Sequence, residues 1–103
     1  MNQKIVYDFE WDAAKALLNV RKHGVSFDQA ATVFLDALAL TAFDDLHSEY
    51  EERWFTLGLD VRGALLAVAH TYQTTGLTNI RVRLISARLA TKRERLFYED
   101  EPR

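Results

Sequence analysis

Six of the chain's thirteen lysines and arginines fall within residues 80–98: Arg81, Arg83, Arg88, Lys92, Arg93 and Arg95. Only one acid, Glu94, interrupts them. Crowded arginines repel one another and lose solvation, so anions must compensate them. Those anions are either phosphates from a bound ligand or the protein's own carboxylates, with Glu51 and Glu52 as candidates, and the residues alone leave both open. Guanidinium groups suit phosphate because they donate in a planar fork.

Three histidines offer proton transfer near neutral pH. His23 falls at a predicted helix C-terminus, where a cation is favoured without any function. His70 lies within a predicted strand, beside Val68 and Tyr72, and reads better as a hydrogen-bonded core or sheet-surface residue than as a reacting group. His47 stands in the polar stretch Asp44–Arg53, and loops on a rigid sheet often carry reacting groups. The carboxylates around His47 match neither an HExxH helix nor an EF-hand loop, so no metal site is expected. No glycine-rich phosphate loop and no nucleophile elbow is present.

The elements that must position these groups are readable from periodicity. Ile80–Ala87 alternates, with Ile80, Val82, Leu84 and Ser86 on one side and Arg81, Arg83 and Ile85 on the other, which predicts a strand. Thr91 followed by Glu94 has capping-box spacing and opens a basic helix to Tyr98. A basic strand therefore runs into a basic helix, and their corner can hold a phosphate from two directions, with Arg95 folding back near Arg88.

Upstream, Ile5–Trp11 predicts a strand or an extended lead-in. Asp12 is the expected N-cap of a helix with Ala13, Leu17, Leu18 and Val20 as its apolar stripe, closed by Lys22, His23 and Gly24. Ser26 and Gln29 suggest a second capping box before a helix over Phe27–Phe34. Strands follow at Leu38–Phe43, Arg53–Leu59 and Ala64–Tyr72, with a turn at Asp60–Gly63 and a polar loop at Gln73–Asn79. Short connections imply antiparallel hairpins. The expected fold is α+β: two N-terminal helices, an antiparallel sheet of about four strands and a C-terminal helix. Residues 99–103 are expected to fray.

At 103 residues the chain forms one domain, residues 1–103. The absence of cysteine excludes disulfides, thiolate metal sites and a thiol nucleophile. No apolar run approaches the roughly 20 residues of a membrane helix. The N-terminal residues lack the plan of a signal peptide, so a cytoplasmic protein is expected. Residues 1–60 hold eleven acids and five bases, and residues 61–103 hold eight bases and four acids. Such halves either neutralise each other or serve different partners.

Several stretches together resemble BrnT-type toxins. Phe9-Glu10-Trp11-Asp12, Lys15, Asn19, Arg21–Phe27 and Ala30-Ala31 carry the N-terminal part. His47-Ser48, Glu51, Arg53 and Gly58 continue it, and Arg83–Arg88, Ala90-Thr91 and Arg93–Arg95 close it. The KHGVSF and ISAR segments are the most specific. Ala13 stands where proline is common, and the Gln73–Asn79 loop is longer than usual. The resemblance implies a RelE-like ribonuclease toxin of a type II toxin–antitoxin pair. A BrnA-type antitoxin with a ribbon-helix-helix DNA-binding domain would neutralise it in a heterotetramer and carry all contact with DNA.

Metal-independent RNA cleavage by 2′-OH attack, with no cofactor, is then the expected activity. Arg83 and Arg88 would hold the scissile phosphate. His47 leads as proton carrier, followed by His70, with Glu51 as orienting group or alternative base. Arg53, Arg81, Lys92 and Arg95 would track the backbone, and Tyr72 or Tyr98 would stack on a base. A non-catalytic module docking an acidic partner on the same arginines is the alternative. A self-sufficient DNA-binding regulator is disfavoured, since no helix-turn-helix pattern precedes the basic helix.

Overall fold

The computed structural model describes residues 4–102. Six strands form one sheet: β1 (Val6–Glu10), β2 (Leu40–Phe43), β3 (Trp54–Leu59), β4 (Leu65–His70), β5 (Gln73–Thr74) and β6 (Asn79–Leu89). Their order is β1-β6-β4-β3-β2, with the short β5 also paired to β6. Helices α1 (Ala13–His23) and α2 (Phe27–Ala31) precede β2, and α3 (Lys92–Asp100) follows β6. The α+β class matches expectation, but the strand count does not. Ile5–Trp11 forms a strand, β1, rather than only an extended lead-in, and the polar loop contributes a strand that was not expected, β5. The sheet is also not purely antiparallel, because β1 runs parallel to β6. That pairing joins the two ends of the sequence, so no short connection announces it.

Local chemistry explains most boundaries. Asp12 Oδ1 accepts the Lys15 N–H at 2.9 Å, and Gly24 closes α1 at φ 69° with its N–H on the Val20 carbonyl. Ser26 Oγ accepts the Gln29 N–H at 3.0 Å, but the second capping box stays half formed. The Gln29 amide instead donates to Asp60 at 2.6 Å and ties α2 to the β3–β4 turn. The predicted second helix tightens after Ala31 into a 3₁₀ turn, Thr32–Leu35. At α3 the Thr91–Glu94 box is complete. The helix includes Glu99 and Asp100, so the expected fraying does not reach them; Arg103 lies outside the described residues.

Both faces of the sheet are covered. Val25, Phe27, Ala30 and Val33 pack on Leu66, Val68, Val82, Leu84 and Ala87 on one face. On the other, Tyr98 of α3 closes over Leu57, Leu65 and Ala67. The expected apolar stripe of α1 is not its buried side: Leu17, Leu18 and Val20 are exposed, and Asn19 is the buried residue. The reason lies at β6, because β1 pairs with it only as far as Arg83. Beyond that point α1 takes the place of a strand. Asn19 accepts the Ala87 N–H at 3.1 Å and donates to the Ala87 carbonyl at 2.8 Å. It also donates to the Val25 carbonyl at 2.9 Å. One amide thus satisfies both ladder groups of Ala87.

A register irregularity between β4 and β6 shapes everything that follows. His70 pairs with Leu84 and Ala69 with Ser86, which leaves Ile85 as an extra residue. This bulge reverses the facing of the rest of β6. Ser86, expected beside Leu84, turns to the opposite face, and Ala87 joins the core in its place. Arg83 and Arg88, five positions apart, consequently share the α3 face.

Candidate functional site

The loop between β2 and β3 is compact. Ser48 Oγ donates to the Asp44 carbonyl and accepts the Arg53 N–H at 3.0 Å, while the Asp44 N–H bonds the Arg53 carbonyl at 2.8 Å. A 3₁₀ turn, Asp45–His47, presents His47. Its Nδ1 lies 3.0 Å from Asp44 Oδ2, and its side chain is 65% exposed. With Nδ1–H held by the carboxylate, Nε2 is left as an open base. His47, Glu51 and Arg53 line one cleft of about 240 Å³.

Glu51 reaches from this loop across the sheet and bonds Arg83. Arg53 Nε stands 3.9 Å from the same carboxylate, too far for a hydrogen bond. Lys15 of α1 also acts on it electrostatically. The Arg83 hydrogen bond is the main reason the Glu51 carboxyl sits below its ordinary value; burial opposes it, and the charges of Arg83, Arg53 and Lys15 add to the lowering. The Glu51 carboxylate is thus bonded by Arg83 and flanked by Arg53, with Lys15 a weaker electrostatic influence. Lys15 carried no weight as a site residue in sequence. Its signal was there, since it is a cation in the first turn of a helix that has no acid there.

Arg88 does not join this cluster. It makes a two-point ion pair with Glu94, at 2.7 and 3.1 Å, and lies over the Phe55 ring. The expected open corner between β6 and α3 is therefore neutralised from within, and Glu94, not Arg95, meets Arg88. The capping box explains it: Glu94 is turned back to bond the Thr91 N–H at 2.8 Å, which aims its carboxylate at the end of β6.

His70 is fully buried. Its Nδ1–H donates to the Thr71 carbonyl at 2.8 Å, so Nε2 accepts the Thr56 hydroxyl at 2.6 Å. Neither nitrogen is open to a substrate, which removes His70 as the second proton carrier. Burial lowers its pKa, against the Thr71 bond, and keeps the ring neutral. Thr71 also exchanges bonds with Arg83, N–H to carbonyl at 3.0 Å and hydroxyl from the Arg83 N–H at 3.1 Å. His70 thus supports the backbone that carries Arg83.

Of the remaining residues, Tyr98 is buried and donates to Asp36 at 2.6 Å, so its ring cannot stack on a base. Tyr72 is 39% exposed beside Trp54. Arg81 is exposed and pairs across the strands with Asp8. Lys92 and Arg95 are exposed on α3, where Arg95 lies 3.9 Å from Glu99. Among the described residues, no three His, Asp or Glu side chains gather as a metal ion would require. No helix among the described residues is long and apolar enough to cross a membrane.

The electrostatics predict acid lability in two stages. His70 is held below its ordinary 6.5, so the unfolded chain takes up that proton first. Its contribution is complete above 6.5 and declines as pH falls toward the folded value. Glu94 is held below 4.5, chiefly by Arg88, so its contribution is complete above 4.5 and is lost as pH drops through the lowered folded value. Urea midpoints measured down a pH series should fall in both windows. Glu94→Gln should lessen the lower stage, which Glu51 and Asp60 share, and leave the upper one unchanged; a midpoint insensitive to pH would contradict both assignments.

Comparison with known proteins now bears on the site. Residues 11–94 match the profile of a family described as ribonuclease toxin, BrnT, of type II toxin-antitoxin system. Among solved structures, the crystal structure of the Brucella abortus ribonuclease toxin BrnT is similar in fold. It has a TM-score of 0.53 and 23% identity, covering 88% of this chain and 100% of that one. No curated protein matches the chain.

Proposed function

The chain belongs to the BrnT family of type II ribonuclease toxins, and from that premise we propose that it cleaves RNA without a metal, at the Arg83–Glu51 cluster. What carries the reading is the Glu51 carboxylate, gathered by Arg83, Arg53 and Lys15 where a phosphate would sit. RNA brings its own nucleophile. Its 2′-oxygen forms a bond to the adjacent phosphorus, and the bond from phosphorus to the 5′-oxygen breaks. His47 Nε2 takes the 2′-hydroxyl proton, with Asp44 fixing the ring and stabilising the imidazolium. Water in the open cleft protonates the departing 5′-oxygen. Arg83 and Arg53 stabilise the charge that grows on the phosphate oxygens. The products are a 2′,3′-cyclic phosphate and a 5′-hydroxyl.

Glu51 acts here as an internal stand-in for the phosphate, orienting Arg83 in the free protein and yielding on binding. It is a poor base, because the arginine that holds it also lowers its proton affinity. Arg88 braces the strand–helix corner, His70 is a positioning residue beneath Arg83, and Tyr72 is the stacking candidate. Arg81, Lys92 and Arg95 offer outlying contacts to the RNA backbone.

Membership of the family brings an antitoxin partner. We infer a BrnA-type antitoxin with a ribbon-helix-helix domain, forming a heterotetramer that contacts DNA through the antitoxin. Free toxin in the cytoplasm would inhibit translation.

Two variants separate the roles. His47→Ala should slow cleavage by about 10²-fold, at the low end for a general base since water and buffer reach the cleft. Glu51→Gln should bind an uncleavable RNA several-fold more tightly, because a competing anion is gone. Cleavage abolished in Glu51→Gln at unchanged affinity would instead make Glu51 the base.

A further inference from the structure

Beside the cluster runs a groove of about 490 Å³ between α1 and the bulged part of β6. Its α1 wall sets Lys15, Arg21, Lys22 and His23 around an apolar floor that includes Leu18, and Ile85 and Ser86 lie on the β6 side. No carboxylate lines it. We propose that this groove is a second phosphate-binding segment of the RNA site, which carries the strand away from Arg83 along α1. The proposal rests on the ribonuclease reading and extends it to a surface beyond the reacting phosphate.

Four observations support it. Lys15 and Lys22 are seven residues apart, so they share one face of α1, separated by about 10.5 Å along the axis. That span accommodates successive phosphates rather than one. On the β6 side the groove begins at Ile85, two positions after Arg83, which sets it beside the anion locus; the charge of Lys15 adds in the same direction to the lowering of the Glu51 pKa.

Helix electrostatics account for only part of the wall. Arg21, Lys22 and His23 stand in the last turn, where cations are favoured for stability alone. Lys15 stands in the first turn, where a cation opposes the helix dipole. An anion near it offsets that cost, Glu51 in the free protein and a phosphate in the complex. Finally, the groove is held in shape before any ligand arrives. Asn19, on the same face of α1, is bonded to both backbone groups of Ala87, so the helix cannot slide against β6.

The test is fluorescence anisotropy with single-stranded RNA blocked by a 2′-deoxy sugar, as a dinucleotide and as a decanucleotide, over a salt series. Lys22→Gln should weaken decanucleotide binding several-fold and reduce the salt slope by about 0.7, the value for one phosphate contact on a single strand. The dinucleotide should lose less. Lys22→Glu should deepen the effect, and thermal melting confirms that each variant is folded. Arg83→Ala should weaken both lengths. Equal affinities and slopes for wild type, Lys15→Gln, Lys22→Gln and Lys22→Glu would overturn the groove and leave the Arg83 site standing. RNA binding untouched by Arg83→Ala, together with absent cleavage, would bring down the ribonuclease reading and the groove with it.

Discussion

Arg83→Ala is expected to lower the rate of RNA cleavage by about 10³-fold, the upper part of the range for losing one preorganised donor at developing charge. The size follows from its position. Among the described residues, Arg83 alone of the cationic side chains hydrogen-bonds the Glu51 carboxylate, while Arg53 stands off at 3.9 Å. Its backbone is fixed on both sides, by Thr71 and by the register with Glu10 of β1. The guanidinium therefore needs little reorganisation when charge grows on the phosphate. Arg83→Lys should recover part of the binding and little of the rate, since an ammonium cannot bond two phosphate oxygens in a planar fork. Single-turnover rates with saturating RNA provide the check. Arg88→Ala supplies the contrast: its loss should show as a lower melting temperature, because its charge is already committed to Glu94.

The second large effect concerns stability. Asn19→Ala should destabilise the fold by about 2–5 kcal/mol, the sum of buried backbone groups left without partners. Three bonds disappear, from Asn19 to the Ala87 N–H, the Ala87 carbonyl and the Val25 carbonyl. At roughly 4–8 °C per kcal/mol for a domain of this size, the melting temperature should fall by about 8 °C or more. Asn19→Leu should fare no better, since an apolar side chain leaves the same groups unpaired. Exposed Leu18→Ala on the same helix should change stability by less than about 0.5 kcal/mol. A small loss in Asn19→Ala would mean that α1 is held to β6 by something other than this amide.

Much of this arrangement was readable from local sequence. The Asp12 cap, the Gly24 stop, the Thr91–Glu94 box and the Asp60–Gly63 turn are contacts between residues a few positions apart, and each appears where its residue types demand. What escaped was non-local. The parallel β1–β6 pair joins opposite ends of the sequence, and the Glu51–Arg83 bond spans 32 positions. Strict alternation also misled: the Ile85 bulge exchanges the faces of Ser86 and Ala87, which no period of two can express. On α1 the apolar residues pointed the wrong way, because the helix docks through hydrogen bonds at a strand edge rather than through an apolar stripe.

The candidate site was half legible. Sequence selected His47, Glu51, Arg53 and Arg83, and the fold places them in one region. It could not separate Arg83 from Arg88, since both are arginines on a basic strand and only geometry assigns Glu94 to one of them. The choice between internal carboxylates and external phosphate also resolves in an unexpected way. Both arginines have a protein carboxylate, yet the two pairs differ. Glu94 is locked into a helix cap, while Glu51 sits exposed on a surface loop beside Arg83 and Arg53, which is why the proposed phosphate site centres on Glu51.

The central claim is metal-free attack by the 2′-oxygen, and the ends of the RNA fragments report on it most directly. Purified protein should be incubated with a defined RNA in excess EDTA and the new termini identified by mass spectrometry. A 2′,3′-cyclic phosphate on one fragment and a 5′-hydroxyl on the other, both absent with Arg83→Ala, is the predicted result. A 3′-hydroxyl paired with a 5′-phosphate, or cleavage that stops with EDTA and returns with added metal, would contradict it.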